Sequence, residues 1–194
     1  MRLILASASP RRAEILRNAG IAFEVRSAVL DEARRAGELP GDYVRRLAME
    51  KARAAAGAEA DWIPHPAIFV GADTTVVAGE EVLGKPESEA DAGRMLRMLS
   101  GRVHEVRTGL ALLRRPDPAE RVLEEITRVS FAPLSEDEIA AYVASGEPFD
   151  KAGGYAIQGL AGRYITRIEG CYFNVVGLPL ARLWAALREL GWEG

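Results

Sequence analysis

The sequence predicts an α/β protein built on a mixed sheet. Short apolar runs that read as strands alternate with stretches of helical period. Some successive strands are separated only by tight turns, too short for a helical crossover, so part of the sheet must be antiparallel. The chain has 194 residues, 48% of them hydrophobic and 27% charged. That is ordinary globular usage and enough for one well-packed domain or two small lobes sharing a core.

Arg2 to Ala6 reads as a short buried strand, with Ser9 as N-cap and Pro10 in the first helical position of a helix that Gly20 closes near Asn18. Phe23 to Ser27 predicts a second strand, and the polar stretch from Asp31 to Gly41 a loop. From Asp42 to about Ala58, Val44, Leu47, Ala48, Ala52 and Ala55 recur at helical spacing, and Lys51 falls on the same stripe. Behind Pro64 and Pro66, Ala67 to Ala72 reads as a buried strand with Asp73 and Thr74 at its end. Thr75 to Ala78 and Glu81 to Leu83 then form a hairpin about Gly79-Glu80.

Ser88 with Asp91 and Ser135 with Glu138 have capping-box spacing ahead of helices at Glu89 to Leu99 and Glu136 to Ala144. Between them, Val103 to Leu113 and Arg121 to Phe131 read as an antiparallel pair joined through Pro116-Asp117-Pro118. A second hairpin is expected from Tyr164 to Ile168 and Tyr172 to Val176 about Glu169-Gly170, followed by an amphipathic helix from Leu180 to Leu190.

The net charge of −3 argues against a dedicated nucleic-acid binder, so any polyanion must meet a local basic cluster. One cysteine, Cys171, permits no internal disulfide. The four-residue apolar run at the amino terminus is far short of a signal-peptide core or membrane span, and the expectation is a cytoplasmic protein with no membrane partner.

Ser7-Ala8-Ser9-Pro10-Arg11-Arg12 lies between a strand and a helix amino terminus, where unpaired N–H groups, hydroxyls and guanidinium forks suit a phosphate. An ordinary Ser-Pro cap with solvated arginines explains the segment equally well. Five more polar residues sit at awkward positions: Asp31 and Glu32 in the loop, Lys51 on an apolar stripe, Asp73 after an apolar strand, and Lys85 in Leu-Gly-Lys-Pro. Each alone is a turn acid or a snorkelling lysine.

Together, carboxylates able to bind a divalent cation and cations able to neutralise phosphate form the set that phosphoryl transfer to water requires. A buried Asp73 would need a metal or a donor, and it can accept a proton from water. In residues 149–162, FDKAGGYAIQGLAG, Tyr155 and Gln158 can stack on or read a base, although a Gly-rich turn with an exposed Gln explains the stretch as well. His65, His104 and Cys171 read as structural or surface residues, with Cys171 packed in a strand.

In order, LASASPRR at 5–12, VLDE at 29–32, EKA at 50–52, GADTTVV at 71–77, GKP at 84–86 and DKAGGYAIQG at 150–159 resemble the motifs of the Maf family of nucleoside triphosphate pyrophosphatases. The resemblance spans nearly the whole chain. It implies residues 1–194 as a single domain of two lobes sharing one elongated sheet, with flanking helices and a central cleft. The activity it implies is hydrolysis between the α- and β-phosphorus atoms with a divalent cation, Mg²⁺ or Mn²⁺.

The family's functional positions fall on Ser7, Arg12, Glu32, Lys51, Asp73, Lys85 and Gln158. Asp73 matches the proton acceptor, Glu32 and Asp73 the metal ligands, and Lys51 and Lys85 further catalytic groups. Ser9 joins Ser7 in the phosphate turn. Arg11, Thr74 and Gln158 resemble the branch acting on dTTP and UTP. A homodimer working on free nucleotides, without stable nucleic-acid binding, is the implied assembly. Three readings stay open beside this one: a nucleotide-binding regulator of septum formation without turnover, a nucleotidyltransferase, and a 7-methyl-GTP-preferring pyrophosphatase.

Overall fold

In the computed structural model, residues 1–27, 29–57 and 66–193 are described. Among the described residues seven strands form one mixed sheet: β1 (Arg2–Leu5), β2 (Glu24–Val25), β3 (Ala67–Ala78), β4 (Glu81–Leu83), β5 (Val103–Arg115), β6 (Ala119–Phe131) and β7 (Ile165–Glu169). Their order is β2-β1-β3-β5-β6-β7, with β4 pairing β3. The helices are α1 (Pro10–Asn18), α2 (Pro40–Gly57), α3 (Glu89–Leu99), α4 (Glu136–Ala144), α5 (Tyr172–Val176) and α6 (Leu180–Glu189). Pro64, His65 and Ala58, the expected end of α2, lie outside the described residues.

The chain divides into two units. The first comprises Met1–Asp73, Thr108–Glu125 and Gly177–Gly194; the second comprises Thr74–Arg107 and Ile126–Val176. In the first, β1 runs parallel to β2 and β3, with Ile4 opposite Glu24 and Phe69. Parallel strands buried on both faces need continuous apolar sequence, and Ile4, Leu5, Ile68, Phe69 and Val70 are fully buried. Helix α2 covers them with small residues: Ala48, Ala52, Ala55 and Ala56 share a core with Ile4, Phe69, Ala111 and Leu113.

That alanine stripe lets the helix backbone rest almost on the sheet. A Cβ on Gly71 would overlap the Ala48 carbonyl oxygen and lie 2.8 Å from Ala52 N. One on Gly109 would overlap the Val44 carbonyl and lie 2.7 Å from Arg45 N.

In the second unit the β3–β4 hairpin turns at Gly79, whose φ of +62° suits glycine, with Val76 opposite Leu83. Helix α3 is capped by Ser88 Oγ accepting from Asp91 N, while the Asp91 carboxylate accepts from Glu87 N; α4 has the full reciprocal box of Ser135 and Glu138. Leu83, Met95, Leu96, Val129, Ile139 and Tyr142 centre the core. His104 is buried in it, its Nε2 2.7 Å from Tyr155 Oη, and both rings stand edge-on to Phe131. Its Nδ1 has no hydrogen-bond partner among the described residues, and burial lowers the imidazole pKa to about 4.

Several expected elements differ. Ala67–Ala78 is one strand, so Asp73 and Thr74 lie inside it rather than at its end. The second strand shrinks to two residues, α2 begins at Pro40 inside the expected loop, and β5 and β6 extend to the Pro116–Pro118 turn itself. The second hairpin is absent, because residues 172–176 are helical. Gly170 turns at a φ of +128° against Thr127, and buried Asn174 donates its amide to Val106 O and Thr127 Oγ1, which overrides the strand propensity of Tyr-Phe-Asn-Val-Val. Cys171 therefore sits in the turn before α5, partly exposed, with its N–H on Thr127 Oγ1.

Gly71→Ala or Gly109→Ala should force α2 off the sheet at a cost of about 3 kcal/mol or more, read as a lower urea midpoint; an unchanged midpoint contradicts the close approach. His104 gives a pH signature. Its folded pKa, about 4, lies below its ordinary 6.5. The unfolded chain therefore takes up the proton first, and stability complete above pH 6.5 falls by up to about 3 kcal/mol as pH drops toward 4. His104→Gln should flatten that part of the acid limb, and equal slopes in the two proteins would show that the buried ring does not titrate this way.

Candidate functional site

The first unit gathers seven of the residues singled out in the sequence. The turn after β1 places Ser7 Oγ to accept from Ser9 N at 3.2 Å and from Arg12 Nη1 at 3.0 Å. Ser9 caps α1, its Oγ accepting from Arg12 N at a long 3.5 Å. Pro10 at the first helical position lacks an N–H that the helix could not have bonded. The segment is a Ser-Pro cap, and within it the Ser7 hydroxyl and the Arg12 guanidinium converge.

Arg12 is not a solvated arginine. Only 9% exposed, it donates through Nε to the Gly177 carbonyl at 2.7 Å. Burial lowers its pKa, opposed chiefly by the negative charge of Asp73, with Arg11 pushing the same way as burial and Glu32 opposing. Four charged side chains thus act on one another here. A buried, partly compensated guanidinium is a strong anion site.

Lys51 lies on the inner stripe of α2 as the spacing predicts, 12% exposed along its side chain. Its Nζ donates to Asp73 Oδ1 at 2.7 Å and also lies 2.7 Å from Glu32 Oε1. Asp73 is buried, and Lys51 supplies the donor that such an aspartate requires. Glu32 reaches the same ammonium from the loop with its side chain half exposed.

Sequence reasoning missed the residues that hold this loop. Tyr43 on α2 donates to the Glu32 carbonyl at 3.0 Å. Arg46 grips Glu38 through two nitrogens at 2.6 and 2.8 Å and reaches the Ala33 carbonyl at 3.1 Å. That fork holds Glu38 down to about 2, well below the usual carboxylate range. The only signal was a Tyr-Val-Arg-Arg sequence one and two turns before Lys51. The Gly177 carbonyl on Arg12 left none.

The second unit carries Thr74, Lys85 and Gln158. Thr74 follows Asp73 on β3 and is half-buried, whereas Lys85 and Gln158 are exposed. The segments bearing the latter two meet, since Gly153 N donates to the Gly84 carbonyl at 2.9 Å. Tyr155 is not a stacking platform for a base: it is 6% exposed, with its hydroxyl on His104. Asp31 turns back on its own loop, accepting from Ala33 N at 2.9 Å.

Counted by charge, Arg11, Arg12 and Lys51 carry three positive charges against the two of Glu32 and Asp73, an excess suited to a polyanion. No group of three His, Cys, Asp or Glu that could enclose a metal occurs among the described residues. Two convergent carboxylates are nevertheless a common protein contribution to a hard cation that takes its other oxygens from phosphate and water. No helix among the described residues is long and apolar enough to cross a membrane.

Known proteins can be set beside this geometry. Residues 2–190 match the family model described as Maf-like protein. A dTTP/UTP pyrophosphatase of Koribacter versatilis is 53% identical over 193 residues, covering 98% of this chain and 95% of its own. That of Geobacter sulfurreducens is 51% identical, covering 98% and 97%. Among solved structures, the Staphylococcus aureus Ham1 protein superposes with a TM-score of 0.50 at 15% identity, over 98% of this chain and 100% of that one, a likeness of fold. The match to the family model across the length of the chain, and half-identical relatives of the same length, show that this protein belongs to the Maf family.

Proposed function

We propose that the protein is a nucleoside triphosphate pyrophosphatase, a hydrolase of phosphoric anhydrides that converts dTTP and UTP to the monophosphate and pyrophosphate. The observation that carries this reading is Lys51 held between Glu32 and Asp73 in the same unit as buried Arg12. Its substrate class rests on relatives about half identical to it that bear that activity as their name. Clearing unwanted pyrimidine triphosphates is the house-cleaning role that fits.

In this reading Ser7, Ser9, Arg11 and Arg12 bind phosphate oxygens through hydroxyls, the amino terminus of α1 and two guanidinium groups. Arg12 is pinned by Ser7 and Gly177 before substrate arrives, so little ordering remains to be done on binding. Lys51 and Lys85 add positive charge along the triphosphate. Thr74 and Gln158, with Arg11, discriminate the pyrimidine.

Asp73 accepts the proton of the water that attacks the α-phosphorus. In the free protein the Lys51 ammonium sits against the Asp73 carboxylate. A triphosphate offers Lys51 a further anionic partner, which leaves an Asp73 oxygen open to the attacking water. Glu32 and Asp73 would hold Mg²⁺ or Mn²⁺, which would neutralise charge on the phosphates when bound. The reading extends to a cytoplasmic homodimer acting on free nucleotides; the net charge of −3 agrees with the absence of a nucleic-acid partner, and the dimer rests on family resemblance.

Pyrophosphate release should be measured from dTTP, UTP, CTP, dATP, GTP and 7-methyl-GTP, with Mg²⁺, with Mn²⁺ and with chelator. Release from dTTP and UTP, abolished by chelator, is expected. Preference for 7-methyl-GTP would overturn the roles of Arg11, Thr74 and Gln158, and binding without release would favour a regulator. Asp73→Asn should lower kcat by about 10³-fold or more at an unchanged urea midpoint. Lys51→Ala should raise KM and lower kcat together, because the lysine both binds phosphate and holds the Asp73 carboxylate in place; unchanged values would remove it from the site.

A further inference from the structure

We infer that Glu147 is a positioning residue for nucleobase selection, acting through Gln158; the inference rests on the site reading above. Glu147 is half-buried and is the first residue of a short 3₁₀ turn, Glu147–Asp150, that follows α4. Its two carboxylate oxygens are used by different parts of the chain. Oε1 accepts from the hydroxyl of Tyr142, a fully buried residue of α4, at 2.8 Å. Oε2 accepts from Leu160 N at 2.9 Å, across thirteen residues of sequence. The Glu147 carbonyl accepts from Lys151 Nζ at 2.6 Å.

The carboxylate also fills the space beside Gly159. A Cβ there would meet Glu147 Cδ at 2.5 Å and overlap both oxygens. Gly159 and Leu160 immediately follow Gln158, so the clamp fixes the backbone beside the exposed amide assigned to the base. Upstream, Tyr155 is held by His104 and Phe131 in the core. Gln158 therefore projects from a short segment fastened at both ends. The upstream anchor is apolar packing and one hydrogen bond; downstream, the Glu147 carboxylate is the side-chain anchor, beside the local backbone bonds Gly159 N to Ala156 O at 3.1 Å and Gly162 N to Gly159 O at 3.0 Å.

Discrimination by an amide against a base edge depends on keeping that amide oriented before binding, because a mobile one loses both affinity and selectivity. A negative acceptor on a backbone N–H holds the turn more firmly than a neutral one. Removing it should therefore cost base recognition while the phosphate site in the other unit keeps its own supports. A merely structural role would lower stability and leave the choice of base alone.

The test compares wild type, Glu147→Ala, Glu147→Gln, Gln158→Ala and the Glu147→Ala/Gln158→Ala double variant by pyrophosphate release from dTTP, UTP and GTP, with urea midpoints measured alongside. Glu147→Ala should raise KM for dTTP and UTP about 10-fold, with a smaller effect on kcat, and lower the preference over GTP by a similar factor. Glu147→Gln, which keeps an acceptor of the same shape, should lie between. In the Gln158→Ala background the Glu147→Ala change should add less than about two-fold, the coupling expected if one residue acts through the other.

If Glu147→Ala does not fold, Glu147→Gln and its double variant with Gln158→Ala carry the same comparison. Unaltered KM values and base preference, or equal losses with and without Gln158, overturn the inference while leaving the proposed activity in place. A wild-type protein that releases no pyrophosphate overturns that activity and this inference with it.

Discussion

The arrangement of the candidate site depends on the absence of a side chain at Gly71. Helix α2 lies so close to β3 there that any Cβ would overlap the Ala48 carbonyl oxygen. Alternate residues of a strand share a face, so Asp73 points to the same side of β3 as Gly71, toward α2. Lys51 stands on that helix between Ala48 and Ala52. A bulkier layer would hold the two backbones apart, and the ammonium would fall short of the carboxylate it meets at 2.7 Å. Small residues that look like mere core filling thus set the distance between two charges.

The close packing also explains how the charges are tolerated. A buried ion pair recovers its desolvation cost only when its geometry is good and its remaining groups are satisfied. Lys51 meets two carboxylates, and Arg12 spreads its donors over a hydroxyl and a carbonyl. Glu32 has a different character: its backbone is tied down by Tyr43 and, next door, by Arg46 on Ala33, while its carboxylate stays half in water. The loop is fixed while its acid stays solvated.

Much of this was legible before any coordinates. Apolar runs at 2–5 and 67–72, the Ser9-Pro10 cap and the reciprocal box at Ser135 announced their elements because the physical causes are local. Lys51 and Asp73 stood out because each is costly where it sits unless partnered. The helix at Tyr172–Val176 was not legible: an amide reaching across to Val106 and Thr127 decides it, and no local pattern records that contact. Nor was Tyr155, whose aromatic ring fits a base as readily as a core until His104 is seen beside it. Arg46 and Glu147 escaped for the same reason, since surface charges in a sequence give no sign of which backbone they hold.

Incubating the protein with dTTP in ¹⁸O-labelled water and weighing both products bears most directly on the chemistry assigned to Asp73 and its neighbours. Attack of water at the α-phosphorus puts the label in the monophosphate and leaves the pyrophosphate unlabelled, which is the predicted result. Label in pyrophosphate would mean attack at the β-phosphorus and would contradict the assignment of these groups around the α-phosphorus.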